Sequence, residues 1–451
     1  MKTFSSLLLL ASAGLANAAG PELMSELMSL KLRDHESMVK KGYFRPERYR
    51  TTDGVTKCVN GKAGEYSCKN VDMYGFIPHG NLGSKTRVGN DVWGWTSPDG
   101  REFGAVGQSD GTAFVEVKKD GSLVYLGRLA TQTTNITWRD MKIIDGYCYI
   151  GAESPGHGLQ VFDMRKLLNI TTPREFSKET DMTAWFSGFG SSHNVVSNED
   201  TKMIYVVGTA RNLTCKGGLW MLDVRDPSRP KSLGCAHQDG YVHDAQCVIY
   251  KGPDFKYLGH EICFNYNEDT LTIMDVTNKE KPVIISKTPY MGASYTHQGW
   301  LTDEDNMEYL LLDDELDEMR KNGTAANGHT TTYIFDIKNL AKPKNTGAYQ
   351  SPAKAIDHNQ YVVDGLTYQS NYGSGLRIVD ISSVKKDPTG KWFKETGYFD
   401  CHPEDDAQGG AVAFTGTWSN YPYFSSGYIL LNSIERGIYS LKYTGPKRHH
   451  H

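Results

Sequence analysis

Four histidines in the middle of the chain share one setting: Ser192-His193-Asn194, Val242-His243-Asp244, Thr296-His297-Gln298 and Asp357-His358-Asn359, each followed by an amide or an acid. Imidazole is the commonest nitrogen ligand for divalent transition metals, and nearby carboxylates fix its tautomer by hydrogen bonding. Acids recur at a matching distance. His243 to Glu261 and His297 to Glu315 are both 18 residues apart, the length of one two-stranded hairpin, and Glu153 and the Asp313-Asp314-Glu315 run stand in similar places. Arg139, in Trp138-Arg139-Asp140, occupies the same position one unit upstream, where it would bind an anionic group or offset a developing charge. The pattern points to a divalent metal ion held by His193, His243, His297 and His358, with Arg139, Glu153, Glu261 and Glu315 as catalytic groups. Ligand type does not choose among Fe, Cu, Mn and Zn. The competing reading is structural: repeats also duplicate residues for packing, and a histidine opening an inner strand can bond the next unit. For a single histidine that reading is favoured, and for four in register with acids at hairpin spacing the metal is.

The elements that must bring these residues together form a repeat. A phrase of alternating apolar residues ending in Asp or Val appears seven times: Gly111–Val117, Gly158–Met164, Gly218–Val224, Thr270–Val276, Thr331–Ile337, Gly375–Ile381 and Gly437–Tyr443. Period-two alternation marks each as a half-buried strand. A hairpin precedes each copy, as in His193–Ser197 followed by Met203–Gly208. The unit is therefore four strands, a to d, with the signature as strand c. Seven such units predict an all-β, seven-bladed propeller. In that architecture strand a lines a central channel, and its start shares a face with the end of strand b. The histidines then open strand a of blades three to six, with Gly409-Gly410 leaving the blade-seven side open. The last signature strand ends the chain, so the segment Asn70–Ile77 is expected to supply the missing fourth strand and close the ring, which removes exposed sheet edges. Leu23, Met24, Leu27, Met28, Leu30 and Leu32 have helix-like spacing and predict an N-terminal helix packed on the outside. The expected organisation is a signal peptide over 1–18, a helical extension over 19–57, the propeller over 58–445 and a disordered tail over 446–451.

Composition narrows the function classes. Residues 1–18 combine Lys2, the apolar run Leu7–Ala11 and the small stretch Ala16-Asn17-Ala18, the form of a secretory signal. No run is long enough for a membrane helix. The charge is −4, from 49 basic and 53 acidic residues with no basic block, which argues against nucleic acid. Eight cysteines in a secreted chain imply disulfides; Cys58–Cys68, Cys215–Cys235 and Cys247–Cys263 are the expected pairs, with Cys148 and Cys401 left to pair or stay free. Sequons begin at Asn135, Asn169, Asn212 and Asn322, as in a glycoprotein. His449–His451 read as a tag remnant and are kept out of the metal argument. Trp93, Trp95, Trp300, Tyr361 and Trp418 are candidates for the floor of a sugar cleft. The partners expected are an extracellular carbohydrate or small molecule, the chain acting as a monomer. A metal site would suit a lyase, hydrolase or oxidoreductase; the alternative is a non-catalytic glycan- or protein-binding scaffold.

The signature strands resemble LVIVD repeats. Between Cys58 and Tyr443 the chain is similar to the "choice-of-anchor B" family of secreted or surface propellers. The similarity lies in Cys58–Cys68, Asp91–Trp95, Trp138–Lys142, Gly156–Asp163, His243–Gln246, Glu261–Phe264, Tyr295–Thr302, Leu312–Asp317, Ile356–Asn359 and Trp418–Tyr423. The resemblance implies a propeller in an extracellular setting and brings no established activity. Such proteins often carry a C-terminal surface anchor; this chain ends at its last strand, so a freely secreted form is expected.

Overall fold

The computed structural model describes residues 21–446. The signal-peptide reading of 1–18 and the tag reading of 449–451 fall outside the described residues. Seven antiparallel sheets stand in a ring. Their inner strands are Gly89–Thr96, Arg139–Ile144, Asn194–Asn198, Asp244–Ile249, Thr296–Leu301, Gln360–Val363 and Thr417–Tyr421. Each touches the next, and the seventh touches the first, so the ring is closed. The signature phrases are the third strand of every blade, as the repeat requires.

The signature strands are buried on both faces, not half-buried. Gly111–Val117 has no exposed residue, and Leu376–Asp380 is buried up to its last position. Alternate side chains enter two different interfaces, one with the preceding blade and one with the following blade. Phe103, Phe114, Met141, Ile150 and Phe162 make one such cluster between blades one and two. Several polar groups near the channel bond across the same boundaries. Asp140 accepts from the Val195 N–H at 2.6 Å, Gln246 from the Leu301 N–H at 2.8 Å, and Gln298 from the Gln360 N–H at 3.1 Å.

Closure follows the expected scheme. Val71–Pro78 pairs antiparallel with Gly437–Tyr443, aligning Ile77 with Ile438 and Phe76 with Tyr439. The extension does more than that strand. Thr52–Thr56 adds a fifth strand to blade seven, so the sheets begin before residue 58. Tyr66–Lys69 pairs with Lys394–Asp400 on the outer edge of blade six, and Arg174–Phe176 lies parallel to Leu123–Ala130 on blade one. Three outer edges are thereby covered. The three expected disulfides are present, and Cys148 and Cys401 are buried and free, in keeping with an oxidising environment. No helix among the described residues is long and apolar enough to cross a membrane.

The helix Pro21–Lys40 is not on the outside of the ring. Met24, Leu27 and Met38 pack with Trp138, Tyr295, Leu316, Tyr372, Phe414 and Trp418, which ring one mouth of the channel. The helix has one apolar stripe to bury, and these aromatics supply an apolar surface for it.

Phe76 carries the closing strand into the core, 2% exposed and stacked on Tyr439 at 4.4 Å between centroids. Phe76→Ala is expected to cost about 3–5 kcal/mol, measured by chemical denaturation. A cost under about 1 kcal/mol would show that this strand does not hold the ring shut.

Candidate metal centre

An inner strand starts beside the end of its antiparallel neighbour, so one channel mouth collects the starts of all strands a and the ends of all strands b. The four histidines lie at that mouth, each no more than 3% exposed. Their rings follow one another at centroid distances of 4.2 Å (His193–His243), 4.2 Å (His243–His297) and 4.4 Å (His297–His358). Trp138 and Trp418 complete the circle, 6.3 Å from each other and 6.3 and 5.1 Å from His193 and His358. Gly208 permits the tight packing here: a Cβ on it would lie 2.3 Å from the His193 Cβ, and its φ of +63° suits glycine.

Every Nδ1 has an acceptor. His193 meets Glu153 at 2.9 Å, His297 meets Asp313 at 2.9 Å, His243 meets the His297 carbonyl at 2.9 Å, and His358 meets the Trp418 carbonyl at 2.5 Å. Donation from Nδ1 leaves Nε2 as the lone-pair nitrogen, the tautomer a metal needs. The His243 Nε2 is buried without a hydrogen bond. Burial, then neighbouring positive charge, pushes all four imidazoles down, His193 to about 3 and the other three well below the ordinary histidine value, so they are neutral. Burial raises Glu153 to about 7.

The aromatic side of the circle holds a residue that the repeat pattern does not reveal. Lys31, from the N-terminal helix, places its Nζ 2.6 Å from Glu315 Oε1 and 4.9–5.8 Å from the rings of Trp418, Phe414, Trp138 and Tyr372. Tyr372 also donates to Glu315. Burial lowers the Lys31 pKa against the opposing pull of Glu315, and burial raises Glu315 against Lys31. Its signal was a charge inside an apolar stripe: Met24, Leu27, Lys31 and Met38 follow helical spacing.

Glu315 reaches the histidines as expected, 3.8 Å from His297 Nε2 and 3.5 Å from His358 Nε2, and its Oε2 has no hydrogen bond. His243, His297 and Glu315 each bring one ligand atom within 4.8 Å of the others, a group able to hold a metal ion. The donor set of imidazole and carboxylate, with two orphaned atoms among it, fits a divalent transition metal.

Other assignments change. Glu261 lies at the opposite mouth, because it starts strand b of blade four opposite Ile249, the end of strand a. There it accepts from Asn198, Thr201 and Tyr205 and pairs with Lys279 at 2.5 Å. The equal 18-residue spacing misled, since the blade-four loop is long and Glu261 opens its strand, whereas Glu315 follows its own. The acid just beyond strand b of blade four is Glu268, joined by two hydrogen bonds of 2.9 Å to Arg211. Arg139 faces blade one instead of the circle, donating to the Gln108 carbonyl, to Thr131 and towards His157. Gly409-Gly410 sit in a loop before the inner strand that starts at Thr417, and the open side is walled by Trp418. Of the sugar-cleft candidates, Trp418 belongs to this mouth and Tyr361 is buried between Trp93 and Trp300, while Trp93, Trp95 and Trp300 line a cavity of about 890 Å³ at the far mouth.

A separate buried pair stands beside the helix. His402 meets Glu435 at 2.6 Å and packs edge-on against Tyr43 at 5.9 Å. Burial alone would lower His402, but Glu435 overrides it and raises the value to about 9. A comparison with family models finds no match, and no curated protein matches the chain.

Because folding raises His402 above a free imidazole, its contribution is complete below pH 6.5 and disappears as the pH climbs through about 9. The stability gap between wild type and His402→Gln should approach about 3 kcal/mol at pH 6 and shrink by pH 9.5, read from urea midpoints. A pH-independent gap would mean that His402 is not charged in the folded protein.

Proposed function

We propose that the chain is a secreted propeller protein holding one divalent transition-metal ion at the channel mouth, with His243, His297 and Glu315 as its core ligands and His193 and His358 on either side. The observation that carries the reading is that each of the four imidazoles spends Nδ1 on an acceptor and keeps the Nε2 lone pair, with ligand atoms of His243, His297 and Glu315 within 4.8 Å of one another. Three disulfides and the resemblance to LVIVD-repeat propellers support the extracellular setting. When bound, the ion would supply Lewis acidity to a small ligand. The chain's own groups do the rest. Glu153 and Asp313 hold the His193 and His297 rings, Tyr372 orients Glu315, and the helix excludes water. Lys31 and the ion share a preference for Glu315, so Lys31 is the resident cation that an ion must displace or neutralise.

Tag-free protein equilibrated with Zn²⁺, Cu²⁺, Fe²⁺ or Mn²⁺ should retain one ion per chain by elemental analysis, and His243→Ala/His297→Ala should retain none. Lys31→Met should bind more tightly than wild type. Without metal it should lose about 3–5 kcal/mol, the cost of leaving Glu315 buried and unpaired. If no ion is taken up and the double variant only melts earlier, the histidines are structural and the scaffold reading holds.

A second reading rests on the far mouth. Trp93, Trp95, Trp300, Tyr421 and Tyr423 line the cavity there together with Glu199 and Glu304. Half-buried aromatic rings lining a cavity beside hydrogen-bonding groups suit a sugar ring. Oligosaccharide titration should shift tryptophan emission in wild type and not in Trp300→Ala; a flat response across neutral and basic oligosaccharides rules this reading out.

A further inference from the structure

Directly behind the histidine circle lies a group of acids that the metal reading does not use. Asp317 and Glu318 follow Glu315 on a short helical turn, and Asp357 precedes His358 at the entry to blade six. All three are no more than 2% exposed. Each brings a carboxylate oxygen within 4.8 Å of the other two.

Some of their oxygens are accounted for. Tyr333 donates to Asp317 Oδ2 at 2.7 Å, and the Thr331 N–H donates to Glu318 Oε1 at 2.9 Å. Asp317 Oδ1 and Glu318 Oε2 face each other, close enough to share a proton, and both oxygens of Asp357 are without a hydrogen bond. The Asp314 N–H faces Asp357 without closing a bond of good geometry. No Lys, Arg or His among the described residues pairs with the three. The charged side chains that face them are further acids, Asp313 and Asp314. An orphaned carboxylate in a dry interior carries a penalty of several kcal/mol. Asp357, buried with neither oxygen bonded and brought against the Asp317–Glu318 pair, makes an arrangement that a cation resolves and packing alone does not.

We propose that Asp317, Glu318 and Asp357 bind a calcium ion that ties the end of blade five to the start of blade six. The donors are all oxygen, and three carboxylates surround a point shielded from water. Ca²⁺ accepts six to eight oxygens in irregular geometry, whereas Mg²⁺ holds its water shell and demands a regular octahedron. Nitrogen-preferring transition metals are drawn to the neighbouring imidazoles. The calcium site is independent of what the histidines hold. Its ligands Asp317 and Asp357 lie next to Glu315 and His358 in the chain, so the two sites are neighbours.

The test uses full-length, tag-free protein, with Ca²⁺ and Tb³⁺ as probes. Elemental analysis should find one calcium per chain. EGTA should lower the unfolding midpoint by several degrees, and added Ca²⁺ should restore it. Tb³⁺ should luminesce when Tyr333, hydrogen-bonded to Asp317, is excited. Asp357→Asn/Glu318→Gln keeps the shapes and removes two charges, and it should abolish the calcium, the midpoint shift and the luminescence while the histidine site keeps its own metal response. Calcium bound with equal affinity by the folded double variant would overturn the proposal. If that variant does not fold, Glu318→Gln alone is measured, and wild type decides independently: no calcium after refolding in millimolar CaCl₂ and no Tb³⁺ luminescence would also overturn it.

Discussion

The structure depends on one constraint: seven inner strands must meet around an axis and satisfy their polar groups in each other's company. The histidines at the channel mouth beneath the helix are buried, so a donor or acceptor there must find its partner on its own blade, a neighbouring blade or the helix. Asp140, Gln246 and Gln298 each reach the backbone of the following blade. Such a chain of bonds holds only if the ring is complete. The pairing of Val71–Pro78 with Gly437–Tyr443 is therefore more than an edge repair. It fixes the radius at which the seven strand starts face one another, and with it the distances between the histidine rings.

The histidines meet that constraint and keep something in reserve. An imidazole has two nitrogens, and here Nδ1 performs the structural task. His243 and His358 bond a carbonyl of the next blade, while His193 and His297 bond carboxylates. The structural and metal-binding readings thus describe two ends of the same ring. The circle is also divided in chemistry. Four imidazoles make one arc, and Trp138 and Trp418 make the other. The aromatic arc stabilises a cation without neutralising it, and Lys31 takes that place, with Glu315 as its counter-ion. The helix that carries Lys31 adds its own apolar side chains to the wall, so the same element closes the mouth and charges it.

Much of this was legible in the sequence, because a repeat multiplies its own signal. Seven phrases with period two gave the blade count, the strand order and the need for a closing strand, and hairpin neighbours gave the three disulfides. The clustering of His193, His243, His297 and His358 followed from their common position in the repeat. Glu315 and Glu153 were placed correctly for the same reason. Glu261 was not, since equal spacing along the chain says nothing about how the residues divide between loop and strand. Arg139 shared the register of the histidines, but its longer side chain turned to acceptors on blade one.

By itself, the sequence determined what repeats: the propeller, its closure and the ring of imidazoles, all set by backbone periodicity and by side chains that occur once per blade. Tertiary structure alone decided what does not repeat. Lys31 belongs to no blade and reaches Glu315 across 284 positions of chain. Asp317, Glu318 and Asp357 come from two blades and from turns of unequal length, so no periodicity aligns them. The physical reason is the same for both. A buried charge selects its partner by distance in a medium that screens it poorly, and that distance exists only once the ring has closed and the helix has settled over its mouth.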